Sequence, residues 1–174
     1  YEHFSEVYNG LNGPLTVDYY VLPENLKAAR HQFAEVPRTL EAFEYWFGPY
    51  PFYEDGFKLV EVPYLGMEHQ SSVTYGNGYA NGYRGRDLSG SGWGMEFDFI
   101  IVHEMAHEWF ANSLTNEDVA DMWIHESFTN YAESLFLEYH FGWQAAHEYV
   151  LGLRFAVSHD RSVIPDYGVN ERGS

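Results

Sequence analysis

Apolar residues along this chain change period, from strand-like spacing near the start to helical spacing in the second half. The runs FSEVYNG (4–10) and PLTVDYYVLP (14–23) read as strands, separated by the turn residues Gly10, Asn12, Gly13 and Pro14. ENLKAARHQFAEVPRTLEAFEYWF (24–47) has helical spacing, and Pro37 marks a kink or a break between two helices. GPYPFYEDG (48–56) is a turn-rich loop. FKLVEVPY (57–64) is a strand that leads into Gly66, Met67 and Glu68, and SSVTYG (71–76) is another. Residues 76–94 hold seven glycines and read as a loop. A helix follows in which Phe97, Phe99, Ile100, Ile101, Val102, Trp109 and Phe110 leave almost no polar face, so it is expected to be buried. A linker around TNEDVAD (115–121) precedes a helix from about Trp123 to Phe141. Gly142 breaks it, and WQAAHEYVLGLRFAVS (143–158) makes the last helix. Strands first and helices later predict an α+β fold, and 174 residues can bury one sizeable core, so residues 1–174 are expected to form one domain.

The buried helix carries the chemistry. It holds His103, Glu104 and His107 in the order His-Glu-x-x-His, and Glu126 follows after eighteen residues. Positions i and i+4 share a helical face, so both imidazoles can reach one metal ion. Buried histidines at this spacing need a partner, and a metal is the simplest one. Glu104 lies one step round the helix, placed to touch a water beside the metal rather than the metal itself. That is the arrangement of a water-activating zinc hydrolase. A third His shortly after the pair would suggest the metzincin type, but the next one is His125. His125 is the alternative third ligand to Glu126. Helix neighbours point about 100° apart, so only one of them can face the metal. The set His103, His107 and Glu126 leaves a fourth position open, unlike structural zinc sites, which four protein ligands usually close.

These residues resemble the aminopeptidase N family of gluzincin metallopeptidases, whose relatives include leukotriene hydrolase. Its pattern is H-E-x-x-H, eighteen residues, then E. A second family mark is a Gly-x-Met-Glu-Asn segment upstream. Here it is matched by Tyr64-Leu65-Gly66-Met67-Glu68-His69-Gln70, with Glu68 thirty-five residues before His103. Leu65 stands in place of the usual Gly and His69 in place of the usual Asn, while Gly66, Met67 and Glu68 match. WFANS after His107 and WIHESFT around Glu126 also fit. The likeness is strongest to a bacterial subgroup with PYLGMEHQ and GWG-x-x-FDFIIVHE strings.

The resemblance implies a thermolysin-like metallopeptidase catalytic domain with one zinc per chain, held by His103, His107 and Glu126. It implies Glu104 as general base and acid. It also implies that Gly66, Met67 and Glu68 bind substrate, with Glu68 taking the free α-amine of a peptide by a charge-assisted hydrogen bond. An endopeptidase on the same fold is the alternative, and an N-acetylated substrate separates the two. In the family a Tyr well beyond the ligand Glu stabilises the oxyanion, and only forty-eight residues follow Glu126 here. Tyr131, Tyr139, Tyr149 and Tyr167 have the wrong context for it. The chain is therefore read as a C-terminally truncated fragment of the catalytic domain, without the family's N-terminal β domain and C-terminal helical domain. By itself it is expected to be a nearly inert zinc-binding domain.

Composition narrows the partners. A net charge of −17, from 26 acidic and 9 basic residues, disfavours nucleic acid and anionic membrane surfaces. No apolar run approaches a membrane span. With no cysteine there is neither a disulfide nor a thiolate metal site. The glycine-rich loop lacks both Gly-Lys-Ser/Thr and a G-x-G-x-x-G turn into a helix, so it is read as a flexible wall of the substrate cleft. Some of Tyr75, Tyr79 and Tyr83 are candidates to line that cleft. Trp46, Phe47, Trp109 and Phe136 are expected in the core. Asn130 and Glu133 lie on the face of Glu126, and either could support the metal ligands.

Overall fold

The computed structural model describes residues 1–158 and 162–164. Strands β1 (Glu2–Gly10) and β2 (Gly13–Val21) form an antiparallel hairpin closed at the Gly10–Gly13 pair. Gly13 has φ 100°, a left-handed conformation that favours glycine. On β2, Leu15, Val17, Tyr19 and Val21 are all buried, which is the period of two that a half-covered sheet needs.

The chain crosses over through α1 (Leu26–Gln32) and α2 (Glu35–Phe47) to β3 (Phe57–Glu61), which runs parallel to β2. The helix break falls at Phe33 and Ala34, ahead of Pro37. Pro37 sits in the first turn of α2, where a missing N–H costs nothing. β4 (Gly66–Met67) pairs antiparallel with β5 (Val73–Tyr75), and β5 runs parallel to β3. The order β1-β2-β3-β5-β4 makes a small mixed sheet with β4 at one edge.

Three helices follow: α3 (Phe99–Ala106), α4 (Trp123–Phe141) and α5 (Trp143–Leu153). α3 packs on β4 and β5, and α4 packs on α2, α3 and α5. The result is the expected α+β arrangement of a mixed sheet and then helices. α5 stops sooner than its sequence predicts and passes into a short 3-10 turn. Phe155 in that turn is 96% exposed, so no apolar contact supports a further helical turn there.

The core is rich in aromatic contacts. Trp109 meets Phe43 and Tyr50 edge-on, and Phe97 packs against Phe136 and Tyr149. Trp46 differs from expectation. It is 36% exposed, and its indole donates to the Leu135 carbonyl on the surface of α4.

The glycine-rich loop is also more firmly held than its composition suggests. Asp87 accepts from Ser89 and from the Gly92 backbone, Trp93 donates to Glu148 on α5, and Asn77 donates to Asp98.

Candidate active site

Asp98 starts α3. Its buried carboxylate accepts from the backbone of Ile100 and Ile101, and also from Tyr75, Gln32 and Asn77. This cap satisfies two of the helix's unpaired N–H groups and ties its first turn to β5 and α1. Behind it, Ile100, Ile101, Val102, Met105 and Ala106 are buried, as the apolar pattern predicts.

His103 and Glu104 lie on α3, and His107 caps its C-terminus. The two imidazoles stand edge to face with ring centroids 5.0 Å apart. Glu126, in the first turn of α4, faces both. One oxygen is 3.4 Å from His103 Nε2 and the other is 3.6 Å from His107 Nε2. One candidate ligand atom from each of the three lies within 4.8 Å of the others. His125 points elsewhere: its Nε2 is bonded to Thr115 Oγ1 and to the Asn116 backbone N–H. Among the described residues, neither group able to hold a metal includes it.

Both imidazoles are orientated from behind. His103 Nδ1 donates to Glu133 at 2.8 Å, and His107 Nδ1 donates to the Phe110 carbonyl at 3.0 Å with Thr129 Oγ1 close by. A carboxylate or a carbonyl can only accept here, so each Nδ1 carries a proton and each Nε2 is left on the side of Glu126. Burial disfavours a charge on His103, but its bonds to Glu126 and Glu133 outweigh that and push its pKa up to about 10. Burial, and repulsion from His103, hold His107 below its ordinary value. The carboxylates thus call for positive charge between them, which a proton on His103 or a metal cation would supply. Two imidazole nitrogens and one carboxylate are a donor set that suits zinc.

Glu104 is buried beside this cluster. Burial raises its pKa, His103 opposes, and the charges of Glu68 and Glu126 add to the rise, bringing it to about 7. Glu68 directly follows β4, and it forms a second tight group with Glu104 and His107, again with one ligand atom from each within 4.8 Å of the others. Gly66 is what lets the strand come so near. A Cβ there would lie 2.8 Å from Ile100 Cγ2 and 3.1 Å from Glu104 Oε1. Met67 is exposed beside it.

Of Tyr75, Tyr79 and Tyr83, Tyr83 is linked to the site through an aromatic neighbour. Its ring meets Phe99, which stacks on His103. Tyr75 is instead a buried core residue bonded to Asp98. Tyr167 lies outside the described residues. Of the pair left open on α4, Glu133 reaches His103, whereas Asn130 only donates to the Glu126 carbonyl. Sequence reasoning passed over Asp98, although an Asp just before an apolar helical run is a helix-start signal. It also passed over Glu108, a charged residue inside the run MAHEWF.

The family model of the peptidase family M1 domain matches residues 31–164. Glutamyl aminopeptidase of Bos taurus is 28% identical over 160 residues, which cover 90% of this chain and 16% of that protein. Aminopeptidase B of Mus musculus is 29% identical over 111 residues, covering 62% of this chain and 15% of that protein. The solved M1 zinc metallopeptidase of Deinococcus radiodurans, in a variant bound to a Tyr-Ser-Ala substrate, superposes with a TM-score of 0.64 at 22% identity. That match covers 94% of this chain and 34% of the other, and at such identity the likeness concerns the fold.

Proposed function

The chain belongs to peptidase family M1, and from that premise we propose that it carries the catalytic centre of a zinc-dependent aminopeptidase. On this reading residues 1–174 are one thermolysin-like catalytic domain of a longer enzyme. It removes the first residue from peptides with a free α-amine. His103, His107 and Glu126 hold the zinc. When bound, zinc supplies Lewis acidity to water and to the scissile carbonyl.

The remaining steps belong to side chains of this chain. Glu104 takes a proton from the attacking water and later returns it to the leaving amine, so the proton balance closes over one hydrolysis. A pKa near neutrality suits both halves of that task. Glu68 accepts hydrogen bonds from the substrate's α-ammonium and fixes which peptide bond lies beside Glu104. Gly66 and Met67 line the approach, and the edge of β4 offers backbone groups to an extended peptide. Asp98 and Glu133 hold α3 and His103 in place.

One observation carries the exopeptidase reading: the Glu68 carboxylate lies within 4.8 Å of both Glu104 and His107 ligand atoms. A carboxylate so close to the hydrolytic centre leaves room for a single residue before the scissile bond. The test compares free and N-acetylated peptides on the zinc-loaded full-length enzyme. Glu68→Ala is expected to lower kcat/KM for the free peptide by about 1.5–3 kcal/mol, the scale of a hydrogen bond to a charged group. Equal cleavage of acetylated and free peptides by the wild type would overturn the proposal.

A further inference from the structure

Glu108 is fully buried, one residue past His107. A carboxylate taken out of water needs strong compensation, and an apolar side chain would fill such a site at lower cost. Its hydrogen-bond donors indicate what this carboxylate organises. The Ser71 backbone N–H donates to both oxygens, at 2.9 and 3.1 Å, Tyr50 Oη donates at 2.9 Å, and Asn112 Nδ2 donates at 3.3 Å. The same Asn112 amide also donates to the Glu68 carbonyl at 2.8 Å, and the Asn112 backbone N–H donates to the His107 carbonyl.

Ser71 closes the turn that follows Glu68. It has φ 57°, which a serine adopts only under constraint, and the turn is pinned by bonds from Ser72 to His69 and from Lys58 to Ser71. Glu68 itself comes after a strand of only two residues, so β-pairing alone determines its position weakly. The segment bearing Glu68 is thus tied twice to the chain next to His107: at its own carbonyl through Asn112, and three residues later through Glu108.

We propose that Glu108 and Asn112 are positioning residues that set the Glu68 carboxylate at the separation from the metal ligands that a substrate's α-ammonium requires. The proposal rests on the reading of Glu68 as amine anchor. A displacement of about one ångström at such a contact can cost on the order of a hundredfold in rate, so a rigid tie has functional value beyond folding.

The test uses two zinc-chelating ligands that differ only at the amine, alanine hydroxamate and N-acetylalanine hydroxamate. Calorimetry on the zinc-loaded protein gives both affinities, with zinc content measured alongside. Wild type should prefer the free amine by about tenfold or more, the scale of a hydrogen bond to a charged group. Glu108→Ala and Asn112→Ala should lose most of that preference, while the acetylated ligand and the zinc content stay unchanged. Glu108→Gln should restore it, because the amide oxygen still accepts from Ser71. Asn112 is only partly buried, so Asn112→Ala decides the matter should Glu108→Ala fail to fold. A preference that survives in the alanine variants overturns the positioning role and leaves the aminopeptidase reading intact. An equal loss for both ligands makes the network merely structural and also overturns it. No preference in wild type overturns the amine-anchor reading and this proposal with it.

Discussion

Glu133 receives the Nδ1 proton of His103 at 2.8 Å on one oxygen and the hydroxyl of Tyr149 at 2.6 Å on the other. The carboxylate is buried, and α4 and α5 converge on it. It fixes the His103 ring and its tautomer, and Tyr149 fixes the carboxylate, so α5 shapes a site to which it contributes no ligand. Partners of this kind typically tune metal affinity by about 10- to 100-fold. Glu133→Ala is therefore expected to weaken zinc binding by that order, read by competition with a chromophoric chelator. Tyr149→Phe should weaken it less, since it removes a neutral donor. Wild-type affinity in Glu133→Ala would remove the assigned role.

The ligand set gives a sharper contrast. Wild type is expected to bind about one zinc per chain, as three-ligand sites with an open position do. His103→Ala and Glu126→Ala should lose most of it. His125→Ala should keep it, because that imidazole is occupied with Thr115 and Asn116. Elemental analysis of the three variants after dialysis distinguishes the cases. Zinc loss in His125→Ala with retention in Glu126→Ala would reverse the assignment.

The parts of this site that were legible in the sequence are those governed by helical geometry. His103 and His107 share a face because they are four apart, and α3 is buried because its residues are apolar on nearly every side. The choice between Asn130 and Glu133 was not legible. Both lie on the face of Glu126, and the decision came from the direction of the His103 ring and from Tyr149 on another helix. The glycine-rich loop misleads for a related reason. Its composition suggests freedom, but its Trp93 bond to Glu148 spans fifty-five residues of sequence, which no local signal reveals. The role of Glu108 is not legible in the sequence, because a charged residue in an apolar run looks like an exposed position, whereas Ser71, Tyr50 and Asn112 surround it in the fold.

Gly66 is required by closeness rather than by backbone angle. A Cβ would press on Ile100 Cγ2 and the Thr74 carbonyl at 2.8 and 3.0 Å and would reach the Glu104 carboxylate at 3.1 Å. Two of these neighbours belong to α3 and one to the backbone of β5, so β4 itself must move outward. Gly66→Ala is expected to destabilise the fold by about 1–3 kcal/mol, the usual cost of overpacking. Because Glu68 directly follows β4, activity should fall further than stability does. Urea unfolding together with kcat/KM checks both. An Ala variant with wild-type kcat/KM would show that the strand edge tolerates displacement.

Glu35, in the first turn of α2, supplies a pH test remote from the metal ligands. It is 7% exposed and bonded to Arg38 at 2.9 Å. Burial raises its pKa. Arg38 opposes this, and the nearby Asp98 charge adds to the rise, so a value of 4.5 becomes about 7. The folded state therefore holds this proton more tightly than the unfolded chain. The stabilising contribution is complete below about pH 4.5, declines as pH rises, and is gone above about pH 7. The gap between the two values corresponds to about 3 kcal/mol at most. Glu35→Gln cannot ionise, so it should be less pH-sensitive than wild type. Near pH 5 the two should have similar stability, with the variant slightly lower for loss of the bond to a partly exposed Arg38. By pH 8 the variant should be the more stable by on the order of 1–3 kcal/mol. Urea unfolding of both proteins at pH 5, 6, 7 and 8 isolates the effect, because contributions common to the two cancel in the difference. A difference that stays constant across that range would mean that Glu35 titrates at its ordinary value and that Arg38 fully compensates its burial.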